Sequence, residues 1–235
     1  MNDSGSLTAD QTASGRTGFV DRAVLARALP FALFMLVLAI RGELPQPLSL
    51  WLYAVQAGLA ALVLAYFWRE YSELRVARPS WQPQACAAGL LLGVLVFVLW
   101  IYLDFAPLNL GVSVAVAPPM LDGVPDWRWI ALRLAGAALV VPVMEELFWR
   151  SFVMRWLESR HFLQVQPLAV SLRSLLVAAL VFGLEHHLWF AGLLAGLVYA
   201  WLYRRFGLWT AIFSHAVTNL SLGLWVWHSG QWQFW

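Results

Sequence analysis

The sequence predicts an all-α fold, a polytopic bundle of about seven transmembrane helices (six to eight). Of the 235 residues, 61% are hydrophobic and only 12% are charged, and the mean hydropathy is +0.69. A soluble domain has about 25% charged residues, so this composition excludes a soluble globular domain, a disordered chain and a nucleic-acid-binding protein. Unbroken apolar runs approach the roughly 20 residues that a helix needs to cross a bilayer, and such runs are typical of helices rather than barrels.

Seven apolar runs follow a polar N-terminal segment, and each is long enough, or nearly so, to be a span. Residues 1–20 are rich in Ser, Thr, Asp and Gly and predict a mobile cytoplasmic tail. Residues 21–127 hold three spans, which we interpret as a scaffold, and residues 128–235 hold four spans. The runs cover residues 24–40, 50–68, 85–103, 129–157, 172–187, 189–203 and 208–227.

The distribution of arginine predicts the orientation of the bundle. With the N-terminus in the cytoplasm, the inner segments hold eleven arginines and the outer segments hold three. Positive residues are enriched in cytoplasmic loops, so we predict a multi-pass protein with its C-terminus outside. The inner arginines are Arg16, Arg22, Arg27, Arg69, Arg75, Arg78, Arg155, Arg160, Arg173, Arg204 and Arg205, and the outer ones are Arg41, Arg128 and Arg133.

Polar and ionisable side chains inside the predicted spans are few, and they cluster in the last four. An ionisable side chain in a membrane costs several kcal/mol unless it faces a partner or a wet cavity, so such residues are candidates for function. The candidates are Glu145, Glu146 and Arg150 in the fourth span, Phe182 and His186 in the fifth, and His215 and Asn219 in the seventh.

The spacing of these residues predicts which of them face each other. Glu146 and Arg150 are four apart and can pair on one helix face, which leaves Glu145 free for another role. A glutamate in a low-dielectric cleft can act as a general base. Histidines can hold the same water or, with an Asn, donate hydrogen bonds to an oxyanion. This set is sufficient for water attack on an amide inside a membrane.

Three motifs resemble those of the CPBP family, which comprises the type II CAAX prenyl endopeptidases and their bacterial relatives, also called the Abi family. They are Glu145-Glu146-x-x-x-Arg150, Phe182-x-x-x-His186 and His215-x-x-x-Asn219. The resemblance covers roughly residues 128–225, which makes 128–235 the expected catalytic core. The C-terminal segment 230–235 and the Trp-rich fourth span further resemble the subgroup that accompanies exosortase systems in Gram-negative bacteria. That resemblance implies a bacterial inner-membrane protein with exosortase-system proteins as partners.

The family resemblance implies a metal-free, glutamate-dependent intramembrane endopeptidase without a cofactor. Glu145 would activate the water, His186 would help to bind it, and His215 and Asn219 would form the oxyanion site. Arg150 would hold Glu146 in a buried pair. The implied substrate is a membrane-associated peptide or protein in the lipid bilayer, with no nucleic acid involved.

The fifth span leaves two points open. The doublet His186-His187 makes the histidine ambiguous, although the spacing from Phe182 favours His186. Glu185 and His187 are interpreted as residues at headgroup level. Counting along the spans also places His186 higher in the membrane than Glu145 and His215, by a distance of order 10 Å.

Other functions fit the same residues. Glu145, His186 and His215 could bind zinc with Glu146 as the base, since Glu and His are ordinary zinc ligands. The cluster could also belong to a non-catalytic immunity or assembly factor, in which it binds a partner or sets helix packing. A transporter is a weaker alternative, because the sequence has no inverted repeat or pair of broken helices.

Overall fold

The computed structural model describes residues 21–44, 46–75, 82–111 and 115–235, without the side chains of 41–42 and 46–50. The predicted tail 1–20 therefore lies outside the described residues. Within them, seven long helices dominate, and the β-structure is one small hairpin. The predicted all-α class is confirmed.

The seven helices coincide with the seven predicted apolar runs. Helix α4 consists of five segments that follow one another without a break: Trp127–Ala135, the π-helical Gly136–Val140, Val141–Glu146, the π-helical Leu147–Val153, and Met154–Trp156. The others are α1 (Arg22–Gly42), α2 (Gln46–Tyr66), α3 (Pro83–Tyr102), α5 (Leu172–Leu184), α6 (Trp189–Phe206) and α7 (Leu208–Ser229).

Two of these helices are candidate membrane spans by length and composition alone. They are the stretches Arg22–Ile40 in α1 and Pro83–Tyr102 in α3. Trp51–Tyr66 and Leu172–Leu184 are apolar but shorter. The predicted number of seven spans therefore stays a prediction.

The connection between α3 and α4 contains the hairpin. Met120–Leu121 pairs antiparallel with Val124–Pro125. Asp122 and Gly123 form the turn with φ of 52° and 81°, which is the positive-φ geometry that a tight two-residue hairpin turn requires. Asp126 then begins α4, because its side chain accepts a hydrogen bond from the backbone N–H of Arg128.

A buried polar network fixes α1 to α4 at the end of the bundle that carries most of the arginines. Arg27 of α1 is fully buried and donates to both carboxylate oxygens of Glu73, at 2.8 and 2.6 Å. Ser151 of α4 donates to the same carboxylate, and Arg155 donates to Ser151. Burial would raise the pKa of Glu73, but the hydrogen bonds and charge of Arg27, with the bond from Ser151, outweigh it and lower that pKa. Ser151 is thus hydrogen-bonded to the buried ion pair of Arg27 and Glu73.

Helices α5 and α6 form a closely packed hairpin because small residues line their contact. A Cβ atom on Gly183 would lie 2.7 Å from both the backbone nitrogen of Leu193 and the backbone oxygen of Trp189. A Cβ on Gly196 would lie 3.0 Å from the backbone of Ala179. Contacts of this kind let helix backbones approach each other in membrane proteins. The hairpin holds the turn 185–188 in place.

Replacing Gly183 by Ala is therefore expected to lower the free energy of unfolding by about 1–3 kcal/mol, the usual cost of overpacking. The atoms that would have to move are backbone atoms of α6, which cannot rotate away. Thermal unfolding of the purified protein in detergent measures the effect. Gly58→Ala in α2 is the matched control, because a Cβ there meets nothing within 4 Å. Equal melting temperatures for the two variants would contradict the close approach.

Candidate active site

A cavity of about 160 Å³ brings the predicted catalytic residues together. Glu145, His186, His215 and Asn219 all line it, although they come from three separate parts of the chain. The height difference expected from counting along the spans is therefore not found. The remaining walls are Trp100, Val141, Phe182, Ala195, Tyr199, Thr218, Leu222 and Phe234.

Glu145 is the carboxylate that points into this cavity. The residue is 7% exposed, and its Oε2 atom is buried without a hydrogen-bond donor among the described residues. The same oxygen lies 4.0 Å from Nε2 of His215. A buried carboxylate oxygen is costly without a donor, so Glu145 is ready to bind a water or a substrate group.

Glu146 has the opposite surroundings, although it is the next residue. It is fully buried, and its Oε2 lies 3.2 Å from Nε of Arg150. Its Oε1 lies 3.0 Å from Nδ1 of His215. The guanidinium of Arg150 also lies 4.5 Å from the ring centroid of Phe182. Glu146 therefore connects α4 to α7 through His215. Arg150 connects α4 to α5 through the ring of Phe182.

The backbone decides which nitrogen of His186 carries a hydrogen. Nδ1 lies 2.7 Å from the carbonyl oxygen of Phe182. A carbonyl oxygen can only accept, so Nδ1 must donate, and in the neutral ring Nε2 keeps its lone pair. Trp100 packs edge-on against the ring at 5.3 Å and limits its rotation. His186 is thus prepared to accept a hydrogen bond at Nε2.

The same reasoning applies to His215, with a different result. Its Nδ1 faces a carboxylate oxygen of Glu146 and must donate to it. Nε2 can then donate a hydrogen bond only when the ring is an imidazolium. Its Nε2 lies 4.0 Å from Oε2 of Glu145. Tyr199 stacks on the ring at 4.7 Å and holds its plane.

Asn219 is oriented by an irregularity of α4. Its Nδ2 donates to the backbone oxygen of Ala137 at 2.8 Å. In the π-helical segment the N–H of Val141 donates to the carbonyl of Gly136, five residues earlier. The carbonyl of Ala137 would take its hydrogen bond from residue 142 in the same way, but residue 142 is a proline and has no N–H. The carbonyl of Ala137 thus lacks that backbone donor, and the Asn219 amide supplies one. The second hydrogen of the amide is left for a ligand.

The comparison with protein families agrees with this geometry. The family model described as Type II CAAX prenyl endopeptidase Rce1-like matches residues 127–221. Residues 127–221 are therefore similar to this family. The matched segment, a little under half of the chain, runs from the start of α4 into α7 and includes every residue of the three motifs. No curated protein and no solved structure matches the chain.

The match to the type II CAAX prenyl endopeptidase family supports peptidase activity in general and a membrane location. The resemblance to the CPBP family is confirmed by it, whereas the exosortase-associated subgroup stays a prediction. Peptidase activity and a membrane location therefore rest on the family match as well as on the apolar helices.

Of the doublet His186-His187, His186 lines the cavity that holds Glu145. His187 turns away: its Nδ1 bonds to the carbonyl oxygen of Leu110 at 2.6 Å, and the residue lines a different cavity. We expect His186→Ala to abolish cleavage and His187→Ala to lower it far less, because His187 does not line the cavity that holds Glu145. Cleavage assays on the two variants, matched for amount of folded protein, measure the difference. An inactive His187→Ala with an active His186→Ala would reverse the assignment.

The oxyanion role of Asn219 predicts a partial loss of activity. Asn219→Ala is expected to lower the cleavage rate by about 10²–10³-fold, the usual effect of removing one oxyanion donor. Residual turnover remains because His215 is still present. Asn219→Asp provides a second readout, because it keeps an acceptor but removes the amide donor. Activity close to the wild type in either variant would limit Asn219 to holding α7 against Ala137 of α4.

Glu185 is the residue that sequence reasoning missed. It was interpreted as lying at headgroup level, yet one of its carboxylate oxygens lies within 4.8 Å of ligand atoms of Glu145 and His186. The signal that could have found it is spacing, since Glu185 follows Phe182 by three residues and shares its helix face. The chain thus places a third carboxylate near one buried arginine, Arg150.

Among the described residues, Glu145, Glu185 and His186 form a group that could hold a metal ion. Their ligand atoms all lie within 4.8 Å of one another, and two carboxylates with one imidazole suit Zn²⁺ or Mn²⁺. The set differs from the one considered from sequence, which had His215 in place of Glu185. Nδ1 of His215 is instead engaged with Glu146.

Proposed function

We propose that the protein is an intramembrane glutamate-type endopeptidase that cleaves a membrane-associated peptide or protein. The observation that carries the proposal is the single cavity lined by Glu145, His186, His215 and Asn219. The family match to a type II CAAX prenyl endopeptidase supports the peptidase class. We further propose a multi-pass bacterial inner-membrane protein of about seven spans, with a cytoplasmic N-terminus and no resident cofactor.

The first step is general-base attack by water. Glu145 takes a proton from the water while Nε2 of His186 accepts the hydrogen bond from its other hydrogen. The water oxygen bonds to the peptide carbonyl carbon, and the carbonyl electron pair moves to its oxygen. General-base catalysis of this kind contributes about 10²–10⁴-fold.

The second step is collapse of the tetrahedral intermediate. His215, as an imidazolium, and the free amide hydrogen of Asn219 donate to the oxyanion. The C–N bond breaks, Glu145 gives its proton to the departing amine, and a carboxylic acid and an amine result. Glu146 takes no proton in this scheme, because it holds Arg150 and His215 in position.

The test is a comparison of membrane proteomes from cells with the wild type and cells with Glu145→Gln. The expected result is at least one membrane protein whose N- or C-terminus differs between the two strains. The variant preserves side-chain size and removes the base, so a strain that keeps full biological function would favour the non-catalytic immunity or assembly factor. Proteins of the exosortase system are the predicted partner class to inspect first.

A metal-dependent hydrolase is the second candidate, and the cluster of Glu145, Glu185 and His186 is the observation that favours it. In that case the metal would lower the pKa of a bound water and supply the nucleophile. Metal content of the purified protein and cleavage after strong chelation separate the two candidates. Full activity without bound metal would exclude the metal-dependent hydrolase. Activity that is lost on chelation and restored by Zn²⁺ would exclude the metal-free endopeptidase.

A further inference from the structure

A second cavity of about 210 Å³ adjoins the catalytic one. Trp100 and Phe234 line both cavities, so these two rings form the wall between them. The other residues of the second cavity are Asp104, His187, Leu188, Gln233 and Trp235. We call this second cavity the vestibule.

The vestibule opens on the face of the bundle that carries the 104–126 connection. Trp100 lies two residues before the end of α3, and His187 and Leu188 lie between α5 and α6. The catalytic cavity is close to the same face, because Ala195 is six residues, or about 9 Å, from the start of α6 and about 17 Å from its end. By the arginine distribution, this is the extracytoplasmic face.

At the opposite face, the cavity formed by described residues does not reach the catalytic cavity. A larger cavity of about 400 Å³ lies there, next to Glu73 and Arg155. It shares no lining residue with the catalytic cavity. The buried network of Arg27, Glu73 and Ser151 lies at the same end and is closed by hydrogen bonds.

Phe234 belongs to a short turn, Trp232–Phe234, whose neighbouring residues are anchored to other parts of the bundle. Trp235 packs edge-on against Trp129 of α4 at 5.7 Å, and the N–H of Val116 donates to the carbonyl of Trp232 at 3.4 Å. The Phe234 ring contacts Trp225 of α7 edge-on at 5.4 Å. The residue is only half-buried. Rotation of this ring would break its contact with Trp225 and leave the anchored neighbours in place.

We propose that the vestibule is a substrate-binding subsite and that Phe234 is the gate between it and the catalytic cavity. This inference rests on the proposed function for the identity of the occupant, an extended peptide segment that arrives from the extracytoplasmic face. The apolar part of the lining, Trp100, Leu188, Phe234 and Trp235, takes a bulky apolar side chain of that peptide, and the polar part, Asp104, His187 and Gln233, faces its backbone. Rotation of the Phe234 ring opens the passage between the two cavities. The substrate can then place its apolar side chain in the vestibule and its scissile carbonyl beside Glu145.

The gate can be tested without any cleavage assay, so a failure of the gate and a failure of the peptidase proposal are distinguishable. Cys86 is the only cysteine of the chain. In a Cys86→Ala background, Leu222→Cys places a thiol in the catalytic cavity, since Leu222 lines that cavity and not the vestibule. The reagent is a membrane-impermeant methanethiosulfonate with a trimethylammonium group, added separately to each side of sealed vesicles.

The expected result is labelling from the extracytoplasmic side only, at a rate raised about tenfold or more by Phe234→Ala. Phe234→Trp, with a larger ring, should slow labelling below the wild-type rate, a change that partial unfolding cannot produce. Phe105→Ala is the matched control, because Phe105 is an exposed aromatic on the same face and lines neither cavity. Labelling from the cytoplasmic side, or a rate unaffected by both Phe234 variants, would overturn the proposal.

Discussion

Replacing Glu145 by Gln is expected to lower the rate of peptide cleavage by about 10²–10⁴-fold and to leave the protein folded. The loss follows from chemistry, because a carboxamide cannot take the proton of the attacking water. The fold survives because no described side chain donates a hydrogen bond to the buried Oε2 atom of Glu145. Initial rates with a substrate from the membrane-proteome comparison measure the first effect, and thermal unfolding in detergent measures the second.

Glu70→Gln is the control for this experiment. Glu70 also carries an ion pair, but that pair with Arg22 is exposed and lies away from the cavity. An exposed pair contributes little to stability, so this variant should cleave at the wild-type rate. Wild-type turnover by Glu145→Gln would contradict the role of Glu145 as the general base, whatever the other cavity residues do.

The helices could be predicted from sequence because an apolar run is a local property. Each of the seven predicted runs falls on one of the seven helices, with ends that differ by a few residues. The motif spacing was equally reliable for side chains on one helix, since positions four apart share a face. The pair of Glu146 and Arg150 at 3.2 Å is the clearest case.

Relations between helices could not be predicted in the same way. Counting residues along straight spans separates His186 from Glu145 in height, yet a turn after Leu184 brings the two residues into one cavity. The position of that turn depends on the close contact of Gly183 with α6. The π-helical segments of α4 add a second departure from regular spacing, and they decide where Asn219 finds its acceptor.

Glu185 and Phe234 lie close to the predicted catalytic residues, although the sequence did not predict these contacts. The spacing of Glu185 from Phe182 places both on one helix face, but only the folded turn brings Glu185 near Glu145. Phe234 is about 90 residues from Glu145 along the chain, and the two meet in one cavity because the turn Trp232–Phe234 packs back against α7. Contacts of this range are set by tertiary packing, which a helical pattern does not contain.

Glu146 is expected to respond to substitution in the opposite way to Glu145. Glu146→Gln should lower the free energy of unfolding by about 3–5 kcal/mol, the usual cost of leaving a buried charge without its partner. The charge in question is Arg150, which is 2% exposed, and Nδ1 of His215 loses its carboxylate at the same time. Thermal unfolding in detergent measures the effect. Glu145→Gln is the matched control, since it makes the same chemical change one residue earlier.

A double variant tests whether the uncompensated charge causes that loss. Glu146→Leu with Arg150→Leu removes both charges, and a buried pair replaced by apolar residues often costs little. Its stability should therefore exceed that of Glu146→Leu alone. Recovery should be incomplete, because His215 still lacks an acceptor for Nδ1 and Phe182 loses the cation above its ring. If the double variant were as unstable as the single one, the cost would come from lost packing at position 146 and not from Arg150.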